Sequence, residues 1–164
     1  MSSETSDGLV KAELSCLDDG SQSITMQFNP TSFKLGRSVK WSDQSVALQP
    51  WGTLQFSTGD SDTMSLSLVL DESESTASVL PAMEAYYGLT MPMKISADVV
   101  RPPVVLFRWE EFRFLGVVRA IDADVTLFDA TGCPKRAKLS LSLLGRAFAE
   151  ASSSAEFFSQ PWEP

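Results

Sequence analysis

The sequence predicts a mainly β protein: an antiparallel β-barrel or sandwich with one short flanking helix. Three observations predict it. Apolar and polar residues alternate with a period of two through most of the chain, as they do wherever a strand buries one face. Turn signals such as Asp18-Asp-Gly20 and Asp129-Ala-Thr-Gly132 separate the alternating stretches at hairpin spacing. Helical spacing of apolar residues appears in a single stretch of the body.

Taken in order, Ala12, Leu14 and Cys16 alternate with Lys11, Glu13 and Ser15, and Ile24, Met26 and Phe28 alternate with Thr25, Gln27 and Asn29. The two form an opening hairpin. Asn29-Pro30 ends it, because proline fixes its own φ and pushes the residue before it into extended geometry. The stretch from Phe33 to Phe56 is less regular, with Lys34, Arg37 and Lys40 set among Phe33, Leu35, Val39 and Trp41. It reads as one or two strands or a long projecting loop, closed by Pro50-Trp-Gly52. Met64, Leu66, Leu68 and Leu70 then occupy one face of a strand and Ser65 and Ser67 the other.

From Ser75 to Leu89 the period changes. Val79, Met83 and Tyr86 or Tyr87 recur at helical spacing, Ser75 or Thr76 is positioned to cap the start, and Gly88 to close the end. After Arg101-Pro-Pro103, an apolar run from Val104 to Trp109 and an alternating strand through Phe112, Phe114, Gly116 and Val118 flank a tight turn at Glu110-Glu111. Ile121, Ala123, Val125 and Leu127 alternate with Asp122, Asp124 and Thr126, and beyond the next turn Leu139, Leu141 and Leu143 alternate with Lys138, Ser140 and Ser142. The body thus reads as about seven or eight strands and one helix. Residues 1–8 form a flexible N-terminus, 9–146 the β domain, and 147–164 a small, polar C-terminal extension carrying Phe148, Phe157, Phe158 and Trp162.

Composition narrows the function. The 164 residues suit one domain, in which roughly 70% of the unfolded chain's surface is buried. There is no histidine, which removes Ser-His-Asp and Cys-His catalysis, histidine-ligated zinc or haem, and imidazole pH switches. Thirteen Lys+Arg against 21 Asp+Glu give a net charge of −8, which argues against nucleic acid or an anionic membrane as the main partner. Cys16 and Cys133 lie far apart, without paired-ligand spacing, and read as buried free thiols, with a disulfide as the alternative. The polar, acidic start lacks the basic and apolar regions of a secretory signal, so synthesis in the cytoplasm is expected. No apolar stretch approaches the roughly 20 residues of a membrane span, so no direct membrane insertion is expected.

No catalytic, cofactor-binding or metal-binding set emerges. Asp71-Glu-Ser-Glu74 stands at a strand-to-helix junction, where acids favour the helix start; a weak divalent-cation site is the alternative. Asp122 and Asp124, two apart on a strand, share a face: an ordinary wet sheet face, a pair that holds a metal, or a surface lining a pore. Gly-rich phosphate loops, GxSxG elbows and Walker patterns are absent. The anomalies are aromatic. Trp41, Trp51, Trp109 and Trp162 fall near loops or strand ends. Aromatic residues in the polar tail, Phe157, Phe158 and Trp162, either cover an exposed edge or anchor in a neighbour.

Several segments, in order from about residue 9 to residue 145, resemble the tube-like proteins of contractile injection systems, relatives of phage tail-tube and baseplate adaptor proteins. They are Gln27-Phe-Asn-Pro30, Leu54-Gln-Phe-Ser-Thr-Gly59, Thr63-Met-Ser-Leu-Ser-Leu-Val-Leu-Asp71, Pro102-Pro-Val-Val-Leu-Phe-Arg-Trp109, Phe114-Leu-Gly-Val-Val118 and Gly132-Cys-Pro-Lys-Arg-Ala137. The resemblance implies a fold of phage tail-tube type and a non-enzymatic, cofactor-free subunit of an assembled injection particle. It implies a hexameric ring of the inner tube, or the tube initiator or adaptor that joins tube to baseplate spike. The implied partners are further copies of the chain, inner tube proteins, and spike and other baseplate proteins, with no nucleic acid. Longer relatives carry a C-terminal LysM domain, and this sequence is expected to work without one. Trp41, Trp51, Phe157, Phe158 and Trp162 are the candidate inter-subunit contacts, and Asp122 and Asp124 the candidate lumen-facing acids. The reading from a different class is a monomeric β-sandwich that binds a ligand or carbohydrate through its loop tryptophans.

Overall fold

The computed structural model describes residues 8–20, 22–48, 50–149 and 153–159. It is an antiparallel β protein with one helix in the body and a short one in the tail. The strands are β1 (Glu13–Cys16), β2 (Ser23–Thr25), β3 (Phe33–Gly36), β4 (Val39–Gln44), β5 (Thr53–Gly59), β6 (Asp62–Asp71), β7 (Met93–Lys94), β8 (Val100–Arg101), β9 (Val104–Trp109), β10 (Phe112–Phe128) and β11 (Pro134–Ala147). Helix α1 (Leu80–Gly88) follows β6, and α2 (Ser154–Ser159) follows β11. Seven strands form one sheet in the order β2-β1-β9-β10-β11-β6-β3, while β4-β5 and β7-β8 are separate two-stranded ribbons.

The core follows from the alternation. Along the β6–β11 ladder Met64 faces Leu143, Leu66 faces Leu141, Leu68 faces Leu139 and Leu70 faces Ala137, and all are buried. On the opposite face Ser65 lies across from Ser142 and Ser67 from Ser140. Each buried leucine contributes about 1.5–3 kcal/mol relative to exposure, and a one-residue slip would exchange the two faces. Strand β10 continues the pattern, setting Ile121 against Leu141 and Ala123 against Leu139. It is one 17-residue strand with a register shift near Val118, where the sequence reads as two. The irregularity absorbs the break in alternation without ending the ladder.

The sheet rolls. Phe33, on the edge strand β3, reaches across to β9, with its ring centroid 6.3 Å from those of both Phe107 and Trp109, and it stacks on Phe112 at 4.8 Å. Near the other edge, the chain after β2 is tied down by two side-chain amides. Gln27 accepts from the backbone N–H of Asp71 at 2.9 Å and donates to its carbonyl at 2.7 Å. Asn29 accepts from the N–H of Ala12 and donates to the carbonyl of Val10. An amide has both donor and acceptor, so each substitutes for a missing ladder pair, which is the physical content of the Gln27-Phe-Asn-Pro30 motif.

Helix α1 starts later than the sequence suggests. Neither Ser75 nor Thr76 caps it; Val79 is the N-cap, Pro81 lies in the first turn, and the Ser78 hydroxyl accepts from the N–H of Leu80. The reason is Lys135. Its buried ammonium donates to the carbonyls of Ser75 and Ala77 at 3.0 and 2.6 Å, holding that segment in turns. At the other end Gly88 stays helical, and Leu89 closes the helix by donating to the carbonyl of Tyr86.

Candidate assembly surfaces

The Phe33–Phe56 stretch resolves into two fates. Strand β3 joins the rolled sheet, whereas β4 and β5 pair only with each other, and every residue of both is exposed. Register sorts the ribbon into two faces. Trp41 lies opposite Phe56 and Asp43 opposite Leu54 on one; Ser42 lies opposite Gln55 and Gln44 opposite Thr53 on the other. Trp41 and Phe56 meet edge to face at 5.7 Å, and on the polar side the Gln44 amide donates to that of Gln55. Trp41 remains 59% exposed, and Trp51, in the connection between the strands, 78%. A lone two-stranded ribbon is marginal in water, and an apolar face of this kind signals an interaction site.

The ribbon is rooted by ions. Asp62, at the start of β6, accepts two 2.6 Å bonds from Arg37 and a third from the N–H of Ala147 at 2.9 Å. The Arg37 guanidinium is the main reason that the Asp62 carboxyl titrates below the usual carboxylate range. Lys40 pairs with Asp60 at 3.2 Å. Between the root and the end of β11 lies a cleft of about 700 Å³ lined by Val39, Phe56, Asp60 and Ala147.

The C-terminal aromatics are placed differently from the hairpin tryptophans. Phe157 packs with Leu17, Val117 and Ala149 over a second small core of Val104, Leu106 and Leu115, on the outer side of the sheet. Phe158 is 58% exposed, with the Arg101 guanidinium 4.7 Å above its ring. Asp18 fixes Arg101 through bonds of 2.8 and 3.1 Å and accepts from the N–H of Val104. Burial alone would raise the Asp18 carboxyl; bonds from Arg101, Ser154 and Val104 outweigh it and leave the group below its ordinary value. Trp109 donates to the carbonyl of Val10 and belongs to the rolled core. Trp162 lies outside the described residues.

Asp122 and Asp124 are both exposed on the polar face of the sheet, opposite Ser140 and Lys138 respectively. Asp122 borders a shallow groove of about 370 Å³ with Lys34, Ser65, Ser67, Ser140 and Ser142. The Asp71–Glu74 cluster structures its own loop: Asp71 binds the N–H of Ser73 and Arg136, and its carboxyl falls to about 2, chiefly through Ser73. Among the described residues no three acids or thiols converge as metal ligands, and no helix is long and apolar enough to cross a membrane. Cys16 is buried and Cys133 half-buried, both free.

A surface that the sequence did not single out lies around α1. Leu80 and Tyr87 of α1 and Met91 just beyond its end are exposed there. The signal was the composition of the helix, Leu80-Pro-Ala-Met-Glu-Ala-Tyr-Tyr-Gly88, whose one charged residue is Glu84.

The fold is a rolled antiparallel sheet that carries exposed apolar residues on the β4–β5 ribbon and on α1. The chain belongs to the contractile injection system tube protein family, whose model matches residues 10–153. Its role is therefore a structural one in a contractile injection system. Comparison with curated proteins gives no match. Among solved structures the chain is similar to one from the tail of an empty GTA particle, refined helically with C6 symmetry: 13% identity, TM-score 0.44, 91% of this chain and 100% of that one covered.

Proposed function

We propose that the protein forms a hexameric ring, either in the inner tube or as the adaptor that joins the tube to the baseplate spike, and that it does so without catalysis or cofactor. The observation that carries this reading is the β4–β5 ribbon. A marginal ribbon with one apolar face, held at its root by the Arg37–Asp62 pair and presenting Trp41 and Trp51, gains its stability from a neighbouring subunit. Sheet edges at β2 and β3 supply further backbone donors and acceptors for a closed, heterologous ring.

In this ring the serine-rich face faces the lumen and gathers Asp122 and Asp124 once per subunit. Phe158 and Trp162 in the 147–164 extension contribute further contacts, and residues 9–146 form the folding unit. Mechanism here is geometric: a rigid ladder keeps spike and tube aligned, and the ring travels with the tube when the sheath contracts. Native mass spectrometry and negative-stain imaging of the purified chain, alone and with tube and spike proteins, test the proposal. Six-fold rings are expected; persistent monomers in every mixture would overturn it.

A further inference from the structure

Strand β9 is buried on both sides from Val104 to Phe107. Val105 and Phe107 belong to the main core, whereas Val104 and Leu106, with Leu115 of β10, form the small core on the outer side. An antiparallel sheet that meets water on one face carries polar residues there, as β11 does at Ser140 and Ser142. The apolar run therefore calls for a cover, and α2 supplies it.

The cover is held by few contacts. Among the described residues of α2, Phe157 alone packs on that core, and the Arg146 guanidinium lies 5.6 Å from its ring. Phe158 meets Phe157 edge to face at 4.9 Å and lies under Arg101. Six residues are too few to hold a helix by themselves, so the order of α2 comes from docking. A segment with so little buried apolar surface opens far more readily than the core strands.

Asp18 ties these contacts together. Its side chain is 2% exposed, and its carboxylate accepts from the N–H of Val104, the Arg101 guanidinium and the Ser154 hydroxyl at the start of α2. Ser154 and Phe158 are four residues apart and share one side of the helix. Asp18 holds the first directly and the second through Arg101.

We propose that α2 is a strap that opens and closes as a unit over Val104, Leu106 and Leu115 while the body stays folded, with Phe157 as its plug and Asp18 as its positioning residue. Closed, the strap conceals an apolar patch; open, it exposes that patch between Arg101 and Arg146. The device belongs to the single chain and does not depend on ring formation.

Maleimide labelling of Leu115→Cys in the full chain carrying Cys133→Ser reads the strap directly, because Leu115 is buried beneath it. Peptide mapping separates that thiol from Cys16. Adding Phe157→Ser should raise the labelling rate at position 115 at least about tenfold, with amide exchange through β6 and β11 unchanged. Asp18→Asn should also raise the rate. Combined with Phe157→Ser it should raise it no further, because no closed strap is left to position. Labelling as fast with Phe157 in place as without it would overturn the strap. Exchange accelerated equally through β6 and β11 would make α2 part of the folding unit and overturn it as well. Labelling unmoved by Asp18→Asn, or two effects that add in the double variant, would overturn the role of Asp18.

Discussion

The β6–β11 and β4–β5 ladders obey the same alternation and end in opposite environments. In the first, Leu66, Leu68, Leu139 and Leu141 lie under the rolled sheet; in the second, Trp41, Phe56 and Leu54 lie on a ribbon with no residue buried. Alternation fixes which face is apolar, not what covers it. In the body the chain covers its own face, because the long strands curl until β3 meets β9. In the ribbon the chain supplies no cover of its own.

The comparison breaks most clearly under truncation. Leu139→Ala, at 0% exposure, should cost about 2–5 kcal/mol in denaturant-monitored unfolding, because a cavity remains in a core that cannot collapse around it. Trp41→Ala removes a larger side chain yet should change the unfolding of the isolated chain by less than about 0.5 kcal/mol while abolishing ring formation. A Trp41 variant as destabilised as the Leu139 one would show that the ribbon is part of the chain's own core.

Asp62 joins the two regions. Asp62→Ala leaves the N–H of Ala147 without its partner and Arg37 without its anchor, and about 1–3 kcal/mol of stability should be lost. Amide exchange should accelerate through β4 and β5 more than through β6 and β11. The same link depends on pH. The folded-state carboxyls of Asp62 and Asp18 lie below their ordinary value of 3.8, so their stabilisation is complete above that pH and is lost as the pH falls through the depressed folded value. Asp71, at about 2, extends the loss down to that pH. Stability that stayed flat from pH 5 to about 2 would contradict these pairings.

Much of the body was legible because burial writes period two into the sequence. Met64 to Leu70 and Leu139 to Leu143 each state their own face, and Asp129-Ala-Thr-Gly132 states its turn. What was not legible depended on partners distant in sequence. The start of α1 is set by Lys135, some 58 residues from Ala77, and nothing near Ser75 announces it. The ambiguity of Phe33–Phe56 arose because β3 and β4 are adjacent in sequence and belong to different sheets. Asp122 and Asp124 lie two apart on β10 and are both exposed, opposite Ser140 and Lys138. The exposed side of α1 was missed because Leu80 and Tyr87 look like core residues until the coordinates show which side the body covers.

Lys135→Met tests that long-range control at a smaller scale than the core leucines. Methionine fills the volume but leaves the carbonyls of Ser75 and Ala77 without their donor, so a loss of about 1–3 kcal/mol is expected, with faster exchange at the start of α1. If the segment were helix-competent once released, amide protection would instead spread back towards Ser75, and the sequence reading of that start would be recovered.

The smallest expected effect concerns the turn inside the body. Glu110 has φ 52°, a left-handed conformation that costs a residue with a Cβ about 1 kcal/mol and glycine almost nothing. Glu110→Gly removes that strain but adds freedom to the unfolded chain, and the two nearly offset. A gain of no more than about 0.5 kcal/mol is expected, raising Tm by one or two degrees for a domain of this size. Trp109 pairs with Phe112 across this turn, and Phe112 stacks on Phe33, so the turn also sets where β3 closes the roll. A loss of stability on Glu110→Gly would mean that Glu110 holds that closure through its side chain, making the body's turn dependent on a specific contact rather than on backbone conformation alone.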